Sequence, residues 1–133
     1  MEKTNVLFLL TPKNQVAYLD EKMNVRQALE KMRAHGYMAI PLVSKSGEYL
    51  GTISEGDILW RIINEDEFDI EDLEEVNIRE LARNDYRPPV KVDADISELV
   101  DKIVNNNFVP VIDDRNVFMG IVTRKSVLQH IIK

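Results

Sequence analysis

The chain has 133 residues, 44% hydrophobic and 30% charged, with a formal net charge of -6 and no cysteine. That length is one domain's worth, enough to bury roughly 68% of the unfolded surface, and the composition is that of a globular chain rather than a disordered one. The acidic balance and the lack of a basic stripe exclude a nucleic-acid footprint, and the missing thiols exclude disulfides and thiolate metal sites.

The first apolar run, Val6 to Leu10, is far too short to span a bilayer and lacks the flanks of a signal peptide. No membrane association is expected, and a cytoplasmic location is. Val25, Ala28, Leu29 and Met32 then recur at helical spacing. Asn24 with Gln27 supplies a capping box at the start of this helix, and Gly36 can end it in a left-handed conformation. "MAIPLV" and "YLGTI" read as strands joined by the turn "SKSGEY". A second helix begins near Ser54, and Ile58, Leu59, Ile62 and Ile63 form its expected buried stripe. The run "NEDEFDIEDLEEV" (64–76) is expected to be a solvated acidic helix or linker, since it lacks the glycine and spacing of a calcium loop.

Beyond that joint the pattern starts again. Asn77 and Ile78 match Asn5 and Val6, and Ile96, Leu99, Val100 and Ile103 repeat the helical face after a second capping pattern, Asp95 with Glu98. One of Asn105 to Asn107 is expected to end that helix. "FVPVI", the turn "DDRNVF" and "FMGIV" repeat the hairpin, and a helix from Thr123 carries Val127, Leu128, Ile131 and Ile132. Gly51 thus corresponds to Gly120, Pro41 to Pro110 and Leu59 to Leu128, so the repeat covers almost the whole chain. Its unit is strand, helix, strand, strand, helix. Two such β-α-β-β-α units are expected to bury their exposed sheet surfaces against each other about an approximate twofold axis, giving an α+β module with clefts where the halves meet.

Chemistry concentrates at the start of the last helix of each unit. Ser54-x-x-Asp57 is a capping box, and the structural reading of it ends there. The functional reading uses the same geometry. A glycine near the strand end permits close approach, and a helix N-terminus offers amides to an anion. A carboxylate one turn in is suited to the two neighbouring hydroxyls of a ribose. Ala39, Ile40 and Pro41 of the facing strand would flank a flat base.

Both halves resemble CBS motifs, and the pair resembles a Bateman module. The residues that carry the likeness are "YMAIPLVSKSGEYLGTISEGDIL" and "FVPVIDDRNVFMGIVTRKSVL", each with an apolar-x-Pro strand, a glycine and then Ser/Thr-x-x-Asp or its remnant. The resemblance implies one Bateman module over 1–133, with motif 1 at 5–63 and motif 2 at 77–133. It implies adenosyl ligands such as AMP, ADP, ATP or cyclic di-AMP in clefts between motifs, and homodimers. Carried over, Asp57 would take the ribose hydroxyls with Ser54 assisting, while Val16, Ala17, Tyr18, Tyr37, Ala39, Ile40 and Pro41 would enclose the base. Val109, Pro110 and Thr123 are their counterparts in the second copy, but Ser126 stands where the family has its acid. Arg124 and Lys125 can meet phosphate oxygens. "VFMGIVTRKSVL" and "GYMAIP" are also similar to small stand-alone CBS-pair proteins that sense cyclic di-AMP.

His35 and His130 lack metal-ligand spacing and read as surface or helix-end residues. Trp60 reads as core or interface packing. No nucleophile and base pair or phosphate-cradling glycine loop is present, so neither catalysis nor a catalytic cofactor is expected. The expectation is a regulatory nucleotide sensor that acts in trans on an unidentified protein. The alternative is a non-catalytic interaction module whose nucleotide sites have decayed.

Overall fold

A computed structural model describes residues 5–64, 69–82 and 87–132. Its elements are β1 (Thr11–Pro12), β2 (Leu19–Asp20), α1 (Val25–His35), β3 (Ala39–Val43), β4 (Tyr49–Ser54), α2 (Glu55–Ile63), β5 (Val90–Lys91), α3 (Ile96–Ile103), β6 (Phe108–Ile112), β7 (Phe118–Thr123) and α4 (Arg124–Ile132). Short 3-10 turns occupy Val6–Phe8, Lys13–Gln15, Ile70–Glu74 and Ile78–Leu81. The fold is α+β with tandem β-α-β-β-α repeats. Residues 17–86 form one compact unit, and residues 1–16 with 87–133 form the other.

In the unit of residues 17–86 the sheet order is β2-β3-β4, with β2 parallel to β3 and β4 antiparallel to it. Alternation along β3 sends Ile40 and Leu42 to one face, where they join Ile53, Val25, Ala28, Met32 and Ile58 in a continuous core. Each buried aliphatic side chain of this size contributes about 1.5–3 kcal/mol. Ala39, Pro41 and Val43 are also buried and lie on the opposite face of the strand. Helix α1 opens on the expected capping box. The Gln27 amide donates to Asn24 Oδ1 at 2.8 Å, and the Asn24 amide donates to Gln27 Oε1 at 3.0 Å. It closes on Gly36 at φ +69°, as the left-handed cap requires.

The other unit has the same plan with one strand added, in the order β1-β7-β6-β5. Val90, Leu99, Ile103, Val109, Val111, Val122 and Val127 make its core. The ends of α3 differ from expectation. Asp95 makes no side-chain cap, and no asparagine of 105–107 turns left-handed. The free carbonyls find side chains instead: Asn106 Nδ2 donates to Lys102 O at 2.9 Å, and Arg124 Nε donates to Ile103 O at 3.1 Å. A left-handed residue is then unnecessary.

The opening turn of each repeat belongs to the core of the other repeat's sheet. Val6 and Leu9 pack with the β5-β6-β7 sheet, and Leu73 and Ile78 pack with the β2-β3-β4 sheet. Asn5 and Asn77 cap these turns alike, accepting from the amides of Leu7 at 2.9 Å and Arg79 at 2.8 Å. Compact units and sequence repeats therefore differ by these segments. Of the acidic joint, residues 65–68 lie outside the described residues. Ile70–Glu74 is a 3-10 turn that buries Leu73 and pairs Glu74 with Arg26.

The expected stripes on the last helices are only partly buried. Ile58 and Val127 meet the cores, whereas Leu59, Trp60 and Ile63 of α2 and Leu128, Ile131 and Ile132 of α4 are exposed, Ile132 at 78%. Each nine-residue helix touches its sheet along one edge, and its apolar face is wider than that contact. Trp60, at 64% exposed, is not a core residue.

Candidate functional site

Ser54 is the last residue of β4 and the N-cap of α2, so the strand delivers it directly to the helix start. The Asp57 amide donates to Ser54 Oγ at 3.1 Å, and the Ser54 amide donates to Asp57 Oδ2 at 2.8 Å. The structural reading of this pair is therefore realised in full. A carboxylate has about four lone-pair positions, and the cap uses one on Oδ2. The Glu55 amide is taken by Met38 O at 3.0 Å. Two of the helix's first three amides are thus engaged, and its capacity for an anion rests on Gly56.

In register, Ala39 faces Ser54 and Pro41 faces Thr52 across β3 and β4. The side chains of Ala39 and Pro41 share the sheet face opposite the core, while that of Ile40 is fully buried in the core. Ile40 can therefore meet a base only through its backbone. Tyr37 is half-buried, with its ring centroid 5.6 Å from that of His35. Ala17 packs against the same core. Tyr18 is held by Lys31, whose Nζ donates to Tyr18 O at 2.6 Å and lies 5.6 Å over the ring. Val16 is buried and belongs to the other compact unit. Sequence reasoning missed Lys31, which sits among helical positions with nothing to mark it. It also missed the buried hydroxyl pair Tyr49 and Thr52, 2.6 Å apart beside Pro41.

At the equivalent place in the other unit, the Ser126 amide donates to Thr123 Oγ1 at 3.1 Å. This is half of a capping box. Ser126 Oγ does not supply the missing carboxylate half but lies 2.8 Å from Thr123 Oγ1 in a hydroxyl pair. Val109 points into the core as Ile40 does, and Pro110 shares the opposite face with Phe108 and Ile112. The Arg124 guanidinium is committed in part to the end of α3, with Nη2 donating to Val104 O at 3.4 Å in addition to the Nε contact. Lys125 is exposed. The close approach expected at Gly120 is made by the chain itself. A Cβ there would lie 2.1 Å from Thr11 O, because β1 pairs Pro12 with Gly120.

His35 and His130 are exposed in the last turns of α1 and α4. Among the described residues no cluster of three or more His, Asp or Glu forms a metal site, and no helix is long and apolar enough to cross a membrane.

Two sheets built from one repeated hairpin, each followed by a helix that starts at a Ser or Thr, define a tandem-motif protein. The CBS domain family model matches residues 9–64 and 78–133, and the chain belongs to that family. It is 30% identical over 120 residues to cyclic di-AMP receptor B of Bacillus subtilis (strain 168), spanning 90% of this chain and 81% of that protein. A solved structure of CbpB in complex with c-di-AMP superposes with a TM-score of 0.89 at 29% identity, over 97% of this chain and 85% of that one. The Listeria monocytogenes CbpB complex with c-di-AMP gives a TM-score of 0.85 at 27% identity, over 95% and 93%.

Proposed function

We propose that this chain is a regulatory module that binds an adenosyl ligand, cyclic di-AMP foremost, and signals by binding alone. The observation that carries the reading is the Ser54–Asp57 start of α2, a half-buried carboxylate beside a strand that places Ala39 opposite Ser54 and Pro41 on the same face, in a chain whose relatives include a cyclic di-AMP receptor. Asp57 accepts from the ribose hydroxyls and Ser54 assists. Ala17, Tyr18, Tyr37, Ala39 and Pro41 flank the base, with Val16 and Ile40 contributing backbone or apolar surface. Lys125, the remaining N–H groups of Arg124 and the Thr123 hydroxyl face phosphate oxygens.

No bond is made or broken in this scheme. A ligand at about 100 times its dissociation constant stabilises the state that binds it by roughly 2.7 kcal/mol, enough to redistribute conformers. The exposed apolar residues of α2 and α4 support a homodimer, and the altered surface would be read in trans by a partner protein.

The second reading, an interaction module with decayed nucleotide sites, is favoured by Ser126 and by the structural engagement of Arg124. Calorimetric titration with AMP, ATP and cyclic di-AMP, alongside Asp57→Ala, separates the two. Saturable binding weakened at least tenfold by the substitution supports the sensor. No binding at millimolar concentration by folded protein supports the interaction module.

A further inference from the structure

The two repeats differ in what occupies the base-flanking position. The parallel pairs Leu19 with Leu42 and Val90 with Val111 make Val16, Ala17 and Tyr18 equivalent to Arg87, Pro88 and Pro89. The hairpin pairs Ala39 with Ser54 and Phe108 with Thr123 make Ala39 equivalent to Phe108. Where the first motif has a small methyl, the second has a phenyl ring. Arg87 lies against that ring with its guanidinium carbon 4.2 Å from the centroid, and it is only 7% exposed. Its Nη1 donates to Phe108 O at 3.1 Å and to Asn107 Oδ1 at 3.0 Å.

We propose that Arg87 is a built-in substitute for a purine, which closes the base position of the second motif and leaves the chain with one nucleotide site. A guanidinium is flat, stacks on an aromatic face and presents N–H donors in its plane, as the amino edge of adenine does. Here it lies over the ring of Phe108 and donates to the carbonyl at the head of β6, the kind of acceptor a base amino group would use. Evicting it would uncover the ring and leave the Phe108 carbonyl and the Asn107 side chain without the hydrogen bonds Arg87 donates to them. Ser126 completes the loss, since it offers a ribose no carboxylate. The ribose side stays open. A depression of about 320 Å³ lined by Leu10, Thr11, Ser126, Gln129 and His130 leaves room for an acid at position 126.

The inference rests on the proposed nucleotide binding, and its test separates the two. Titration calorimetry with AMP is expected to give one nucleotide per chain, with Arg87→Ala leaving the affinity within about twofold. A stoichiometry of two, or a tenfold weakening by Arg87→Ala, would overturn the closure. In the Asp57→Ala background, Arg87→Ala with Phe108→Ala and Ser126→Asp is expected to create AMP binding that the background lacks. A folded variant that still binds nothing counts against the proposal. Should the wild type bind no nucleotide, the proposed function fails while the closure is still decided by NMR of the wild-type protein. The Arg87 Nε–H signal, assigned by its loss in Arg87→Lys, is expected upfield and slow to exchange. Exchange as fast as an exposed arginine's, or a shift on saturation with AMP, overturns it.

Discussion

Replacing Asp57 with asparagine separates the two duties of that residue. Asparagine is nearly isosteric, and its carbonyl oxygen can take over the 2.8 Å contact that Oδ2 makes with the Ser54 amide, while the amide of residue 57 still donates to Ser54 Oγ. What folding loses is the favourable placement of negative charge in the first helical turn, about 0.3–1 kcal/mol. What binding loses is larger. Hydrogen bonds to a charged group contribute about 1.5–3 kcal/mol against about 0.5–1.5 for neutral pairs, so two ribose hydroxyls forfeit about 2 kcal/mol together. That corresponds to about a 30-fold rise in Kd. Calorimetric titration with cyclic di-AMP and urea unfolding of the same preparations read both quantities. The expected outcome for Asp57→Asn is unfolding free energy close to wild type with binding strongly weakened, whereas Asp57→Ala loses about 1 kcal/mol of stability as well. If Asp57→Asn binds within about threefold of wild type while Asp57→Ala is destabilised, the carboxylate is a cap and the ribose assignment is wrong.

Gly120→Ala places a methyl 2.1 Å from Thr11 O and 3.0 Å from Pro12 Cα at φ +146°, and is expected to cost about 3 kcal/mol or more in urea unfolding. Gly36→Ala meets open space at φ +69° and is expected to cost only about 1–2 kcal/mol; equal costs would refute the close approach of β1. Arg124→Ala removes the donor to the Ile103 and Val104 carbonyls and is expected to lower stability by about 1 kcal/mol. Lys125→Ala is expected to leave stability unchanged and to weaken cyclic di-AMP severalfold, with a smaller effect at high salt; a salt-independent loss would argue against a phosphate contact. Leu59→Glu with Ile131→Glu places charge on the exposed apolar faces of α2 and α4 and is expected to shift sedimentation from dimer to monomer. A monomeric wild type would refute that role for the two helices.

The scaffold was legible because short-range rules govern it. The Asn24 and Gln27 box, the Gly36 cap and both hairpins follow from side chains acting within four residues of themselves. Even the turns agree between repeats. Gly47 and Asn116, at φ +93° and +65°, take the same left-handed position in them. The failures share a cause. The end of α3, the neighbour of Gly120 and the exposure of Trp60 all depend on residues far away in sequence, so local periodicity could not distinguish a buried flank from a bare one. At the candidate site, the pattern identified Ser54 and Asp57 but not that Ile40 and Val109 turn into the cores, although strict alternation from Leu42 and Val111 contained that information.

Between the two repeats, scaffold positions and chemistry-bearing positions part company. Where they agree, at Asn5 and Asn77, Gly51 and Gly120, or Pro41 and Pro110, the agreement lies in caps, strand geometry and turns. Four of their differences fall at the base-flanking positions and the helix start: Val16 and Arg87, Ala39 and Phe108, Asp57 and Ser126, Glu55 and Arg124. Those in the second repeat support one another. Arg87 needs the ring of Phe108 and the side chain of Asn107, and Arg124 serves a helix that lacks a terminal glycine. Simple loss of a binding site would leave an emptied position, whereas Arg87 and Arg124 are each bonded to their own repeat. On the proposed closure, the base position of the second repeat is filled by its own Arg87, while the first repeat carries Asp57 and the smaller Ala39 at the equivalent places. Occupancy by a nucleotide would then act on a module in which only the first repeat has an open base position.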